Sequence, residues 1–155
     1  MNVDNISIEE FEKLSKEEQN KFYDAIPEET KEILRQKTEM LTKALPYALM
    51  ARAKTAGLRE AHALGSISQE YCEKFKCSMA EFLIDMHTLT KVFVESSIEQ
   101  TGISFDEKVY NVPDRLKKKN RENHKKIQQE NKKNMGNQMA DALKRAGIVN
   151  DKEKK

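Results

Sequence analysis

Apolar residues recur at spacings of three and four along most of the chain, which predicts helices rather than strands. The strongest pattern runs from about residue 67 to 101 and predicts the longest helix. Gly102 and Ile103 follow it and are typical of a Schellman helix end. The apolar stripe of this predicted helix consists of Tyr71, Phe75, Met79, Phe82, Leu83, Met86, Leu89, Val92, Phe93 and Ile98.

A second long helix is predicted over residues 28–64. Pro27 and the acidic residues after it suit a helix start. Gly65 is expected to end the helix in the left-handed conformation that glycine adopts most readily. Because proline cannot donate a backbone hydrogen bond, Pro46 is expected to kink or break the helix near Leu45.

Capping boxes predict three further helix starts. Those at Ser7 and Ser15, each with a glutamate three residues later, predict short helices at about 7–14 and 15–26. A third box, at Ser104, predicts a helix start in the connection after residue 101.

The pattern changes at Pro113. Residues 115–134 contain only two aliphatic side chains, Leu116 and Ile127, so they cannot bury a full face. This segment is predicted to be a solvated helix or disordered. Residues 135–146 then form a predicted short amphipathic helix.

Composition supports an all-α fold, since 35% of the residues are charged and tryptophan is absent. We therefore expect a helical bundle with two long central helices and two short amino-terminal helices, within a body of residues 1–112. Residues 113–155 are expected to form a basic carboxy-terminal arm, partly disordered or a solvated helix.

Nothing in the sequence predicts export or membrane insertion. The first residues, MNVDNISIEEFEKL, have neither a basic start nor an apolar run, so no signal peptide is expected. No segment approaches the ~20 apolar residues of a membrane helix. Cys72 and Cys77 are expected to be free thiols, as in a reducing compartment. These features predict a cytoplasmic protein with no membrane partner.

The charges are unevenly distributed along the chain, although the net charge is only +2. Residues 1–45 carry −4 and residues 46–112 carry −2. Residues 113–155 carry 14 basic and 6 acidic side chains, a net charge of +8. A basic segment on an acidic body indicates a polyanionic partner.

The basic segment is the best candidate binding site in the sequence. Its cations predict contacts to several phosphates and an affinity that falls with salt. Interleaved amides, including Asn120 and Asn123, are candidates for hydrogen bonds to backbone or bases. The segment lacks aromatic residues, which argues against stacking on single strands. The candidate nucleic-acid-binding residues are Lys117, Lys118, Lys119, Arg121, Lys125, Lys126, Lys132 and Lys133.

Catalytic and metal-binding patterns are not found. No two glycines lie closer than eight residues, so there is no glycine-rich phosphate loop. Glu81 and Asp85 share a predicted helix face, as the carboxylates of helical di-metal sites do, but solvated charges flanking an apolar stripe are the favoured explanation. We expect a non-enzymatic protein without metal or cofactor.

The stretch GLREAHALGSISQEYCEKFK, residues 57–76, allows a helix-turn-helix centred on Gly65. Ala61 and Tyr71 fit that pattern. Glu60 and Lys74 occupy positions where apolar residues are usual, which favours an ordinary helix connection.

The leading hypothesis is a nucleic-acid-associated protein whose basic arm contacts the phosphate backbone with low specificity. The alternative is a small adaptor or inhibitor, of a phage or mobile-element type, that binds an acidic protein partner through its last amphipathic helix. A DNA-binding regulator centred on Gly65 is the second alternative, and the helix at 67–101 is a candidate homodimer surface. The candidate partner-binding residues are Met135, Met139, Leu143 and Ile148.

Overall fold

A computed structural model describes residues 13–147. This part of the chain contains six α-helices, one π-helical turn and no strand, which confirms the all-α fold. None of these helices is both long enough and apolar enough to cross a membrane. The elements are α1 (Lys16–Ala25), α2 (Glu28–Arg52), α3 (Leu58–Phe75), α4 (Met79–Ser96), the π-helical turn (Ser97–Thr101), α5 (Glu107–Tyr110) and α6 (Asp114–Arg145).

Helix α1 begins with the predicted capping box. The Ser15 side chain accepts a hydrogen bond from the Glu18 N–H, and the Glu18 carboxylate accepts one from the Ser15 N–H at 2.9 Å. The helix predicted at 7–14 lies mostly outside the described residues, and Lys13 and Leu14 are not helical.

Pro46 lies inside α2 and does not break it. Proline in a helix interior costs about 3 kcal/mol, whereas burying one leucine side chain contributes about 1.5–3 kcal/mol. The residues just before Pro46 are buried, so packing offsets the local cost. These buried residues are Met40, Leu41, Ala44 and Leu45.

The prediction that a helix ends at Gly65 is wrong. Gly65 lies in the middle of α3, and its φ is not positive. The breaks fall instead after Arg52, where α2 ends, and at Lys76, whose left-handed backbone (φ 52°) closes α3. The turn that a helix-turn-helix centred on Gly65 requires is therefore not formed.

The predicted helix at 67–101 is accordingly divided between α3 and α4. A capping box starts α4: the Ser78 N–H donates to the Glu81 carboxylate at 2.7 Å, and the Glu81 N–H donates to the Ser78 hydroxyl at 3.3 Å. The sequence carries this Ser-x-x-Glu signal, but the apolar stripe that continues through it conceals the break.

The structure divides into two compact units. Unit 1 comprises the described residues up to Ala51 together with Ala56–Met86. In it, the buried Tyr71 ring on α3 contacts the rings of Phe75 and Phe82 at centroid distances of 4.8 and 5.3 Å.

Unit 2 comprises Arg52–Thr55 and the described residues from His87 onward. Its core consists of Val94, Ile98, Val112 and Leu116. Gly102 (φ 71°) ends the π-helical turn in the left-handed conformation, as expected for the helix end at this position. Since Val112 and Leu116 share one core, the first turns of α6 belong with residues 87–112 rather than with a separate arm.

Two predicted boundaries in unit 2 are wrong. Asp106, not Ser104, caps α5, since its carboxylate accepts from the Lys108 N–H at 2.8 Å. The amphipathic helix predicted at 135–146 is the last part of α6, which is continuous over 32 residues. Lysine, arginine, glutamine and glutamate favour helix across residues 115–134 even without an apolar face.

Candidate nucleic-acid interface

One face of α6 is fixed to the rest of unit 2. Leu116, Asn120 and Asn123 are its buried residues. At ~100° per residue, these three positions lie on one side of the helix. Up to Asn123, the basic segment therefore has an inner and an outer face, whereas all its described residues from His124 onward are exposed.

Asn120 holds α6 against the connection before α5. Its amide oxygen accepts from the Phe105 N–H, and its amide nitrogen donates to the Phe105 carbonyl, both at 2.8 Å. Asn123 donates to the Ile98 carbonyl at 3.3 Å. The expectation that these two amides are available to nucleic acid is therefore wrong, because both satisfy buried backbone groups.

Four cations of α6 are also engaged within unit 2. Arg115 donates to Glu99 at 2.7 Å and to Glu95 at 2.9 Å. Lys117 contacts the Asp114 carboxylate, Lys119 contacts the Glu99 carbonyl, and Arg121 contacts the Glu107 carboxylate. Arg115, Lys119 and Arg121 help to hold α6 on its own unit, whereas the Lys117 contact lies within α6.

Five lysines of α6 are different, because all are exposed and form no ion pair or hydrogen bond with any other described residue. We call this set the lysine face: Lys118, Lys125, Lys126, Lys132 and Lys133.

The lysine face points away from the inner face of α6. At ~100° per residue, the mean direction of its five side chains lies about 150° from that of Leu116, Asn120 and Asn123. A partner can therefore reach these lysines without displacing the helix from its unit. Glu122 lies among them and reduces the formal charge of this surface by one.

The cations also repeat along the helix axis. Lysine pairs occur at 118–119, 125–126 and 132–133, a repeat of seven residues. Each repeat advances about 10.5 Å, and the five lysines span about 22 Å. Duplex DNA presents roughly 13 phosphates over that axial length, so every lysine can find one.

The apolar residues at the end of α6 are exposed. Met135 and Met139 are each 70% exposed and Leu143 is 38% exposed. Their spacing of four residues places them along one side of the helix. Ile148, the fourth predicted partner-binding residue, lies outside the described residues.

The acidic groups considered above have structural roles, and the Cys72 thiol is not activated. Glu81 caps α4, and Asp85 accepts a hydrogen bond from the Tyr71 hydroxyl. Burial and the neighbouring Cys77 raise the pKa of the Cys72 thiol, which disfavours the reactive thiolate. Among residues 13–147, no group of three histidine, cysteine, aspartate or glutamate side chains is arranged to hold a metal ion.

No family model matches the chain, and comparisons with curated proteins and with solved structures return no similar protein. Functional inference therefore depends on the geometry of the chain itself.

Proposed function

We propose that the protein is a non-enzymatic, cytoplasmic, nucleic-acid-associated protein. The lysine face of α6 contacts the phosphate backbone without strong sequence specificity. The observation that supports this most is that α6 is docked through Leu116, Asn120 and Asn123, while five of its lysines remain exposed and unpaired.

The charges of α6 favour binding to the phosphate backbone over recognition of a particular base sequence. Each lysine bound to a phosphate releases condensed counterions, a contribution that is independent of base sequence. The amides closest to the core, Asn120 and Asn123, are already bonded to backbone groups. Base-specific contacts would have to come from elsewhere.

The direct test compares three full-length proteins for binding to random-sequence duplex and single-stranded DNA and RNA. The first is wild type, and the second replaces all five residues of the lysine face by glutamine. The third is a control with the same net charge, in which five exposed lysines outside α6 become glutamine: Lys13, Lys16, Lys21, Lys54 and Lys108.

We expect the lysine-face variant to lose binding and the control to retain most of it. Equal loss in both variants would mean that total charge, not this face, controls binding. Substitution is preferable to truncation after Val112, because truncation would remove Leu116 from the core of unit 2.

The second candidate function is a protein-binding adaptor, of the kind often found among small lysine-rich proteins of phages and mobile elements. The exposure of Met135, Met139 and Leu143 favours it, since amphipathic helices dock such residues in apolar grooves. The neighbouring lysines would steer association toward an acidic partner. If Met139→Asp with Leu143→Asp leaves capture of such a partner unchanged, this function is excluded.

A further inference from the structure

Unit 2 contains a small cleft that uses none of the five residues of the lysine face. Its volume is about 260 Å³. The buried Val94 and Val112 and the ring of Tyr110 contribute its apolar wall. Arg52, His87, Lys91 and Lys117 also line it, and we call it the basic cleft.

Arg52 is held in place before any ligand arrives. Its Nε donates to the Val109 carbonyl at 2.9 Å, and its guanidinium lies 5.9 Å from the centre of the Tyr110 ring. Its Nη1 lies 3.4 Å from His87 Nδ1. Within the described chain, its Nη2 has no hydrogen-bond acceptor. A guanidinium fixed in this way loses little conformational freedom when it binds an oxyanion.

The lining has an excess of positive charge. The cations among the lining residues are Arg52, Lys91 and Lys117, and the carboxylate among them is that of Asp114, so the formal charge of the lining residues is +2 with His87 neutral. The Asp114 side chain is exposed and paired with Lys117 at the surface. An exposed ion pair of this kind is weak, so an incoming anion can replace this carboxylate readily.

We propose that the basic cleft binds a phosphate monoester. A monoester carries about −1.5 to −2 at neutral pH, which matches the charge of the lining better than a singly charged phosphodiester does. The apolar wall excludes water from one side and strengthens the charge interaction.

The size of the cleft also favours a small group. Its volume equals that of roughly eight or nine liquid waters and lies just below the ~300 Å³ of pockets that hold drug-sized ligands. The phosphate and the atoms next to it fit. The two sources of this chemistry are a free nucleotide and the terminal phosphate of a nucleic-acid strand.

The experiment uses the full chain, isotope-labelled, and four probes: adenosine 5′-monophosphate, adenosine, a short 5′-phosphorylated oligonucleotide and its 5′-hydroxyl counterpart. We expect the monophosphate to shift the amide resonances of the cleft residues and to bind at least about tenfold more tightly than adenosine. Lys91→Gln with Lys117→Gln should remove this preference. Arg52→Lys should weaken it by about tenfold, since a single ammonium cannot hold the Val109 carbonyl and offer a second N–H in a fixed direction, as the guanidinium does. Lys16→Gln with Lys21→Gln is the control of equal charge, and circular dichroism verifies folding.

Each outcome bears on the proposal. Tighter binding of the phosphorylated strand than of the hydroxyl strand supports a strand-end site. Binding of the monophosphate without that difference supports a free nucleotide. The proposal is overturned if monophosphate and adenosine behave alike, or if the Lys91 and Lys117 variant binds like wild type. The lysine-face variant should keep monophosphate binding even if it loses oligonucleotide binding, so this site and the backbone function fail separately.

Discussion

The Tyr71 hydroxyl donates a 2.6 Å hydrogen bond to the Asp85 carboxylate, which joins α3 to α4 in unit 1. Lys37 of α2 lies 3.4 Å from the same carboxylate oxygen and 5.6 Å from the centre of the Tyr71 ring. Tyr71 itself is fully buried. One carboxylate therefore connects three helices, and its partner hydroxyl has no access to solvent.

Tyr71→Phe should destabilise the protein by about 1–2 kcal/mol. A hydrogen bond to a charged group contributes about 1.5–3 kcal/mol, and the lower part of that range applies because the Asp85 side chain is 35% exposed and water can replace the hydroxyl. Urea unfolding measures the change. Tyr23→Phe, at an exposed tyrosine, is the matched control and should have almost no effect.

The same contact predicts a late tyrosine titration. Burial, followed by the hydrogen bond to Asp85, raises the pKa of Tyr71 well above its usual value. Because the unfolded chain loses this proton near pH ~10 and the folded chain does not, the contribution of Tyr71 to stability falls as the pH rises above that value. Ultraviolet titration should show one of the four tyrosines ionising last. Tyr71→Phe should remove that last step, and a variant that retains it would contradict the assignment.

Asn120→Ala should loosen the attachment of α6. Asn120 is only 2% exposed and satisfies both backbone groups of Phe105. Its removal leaves a buried donor and a buried acceptor unpaired, at a cost of about 2–4 kcal/mol. Denaturation and amide exchange at Phe105 measure this loss. Asn131→Ala, at an exposed position of the same helix, should leave both unchanged.

Gly65→Ala should stabilise the protein by about 1 kcal/mol, because alanine is the better helix former. A Cβ at Gly65 would meet no atom within 4 Å. Gly102→Ala should have the opposite effect, since Gly102 has a φ of 71° and an L-residue there is strained by about 1–2 kcal/mol. Thermal unfolding of the two variants tests the corrected helix boundaries. Destabilisation by Gly65→Ala would contradict them.

The contrast between these glycines illustrates what the sequence can predict. Gly102 follows the end of an apolar pattern, so local rules place it correctly. At Gly65 the same local rules predict a helix end, and only the packing of Ser68 and Tyr71 on one side of α3 reveals that the helix continues. The same reasoning applies to Pro46, whose local effect is outweighed by the burial of its neighbours.

For the candidate interface, the sequence likewise predicts some features and not others. The exposure of the lysine face could be predicted from charge alone, because a polar segment has little apolar surface to bury. Its contact with nucleic acid stays a proposal. Asn120 and Asn123 were misassigned, since whether an amide faces solvent or a buried carbonyl depends on residues 15 and 25 positions away in sequence. The contact of Arg52 with the Val109 carbonyl could not be predicted for the same reason, since the two residues lie 57 positions apart.

The most direct measurement of the central claim is the salt dependence of binding to random-sequence duplex DNA. Wild type should show a linear decrease of log affinity with log salt concentration, and glutamine at all five residues of the lysine face should reduce the steepness of that slope by roughly three to five. The control with five lysines replaced outside α6 should keep nearly the wild-type slope. A lysine-face variant with an unchanged slope, or a wild-type protein that binds no nucleic acid at low salt, would contradict the account.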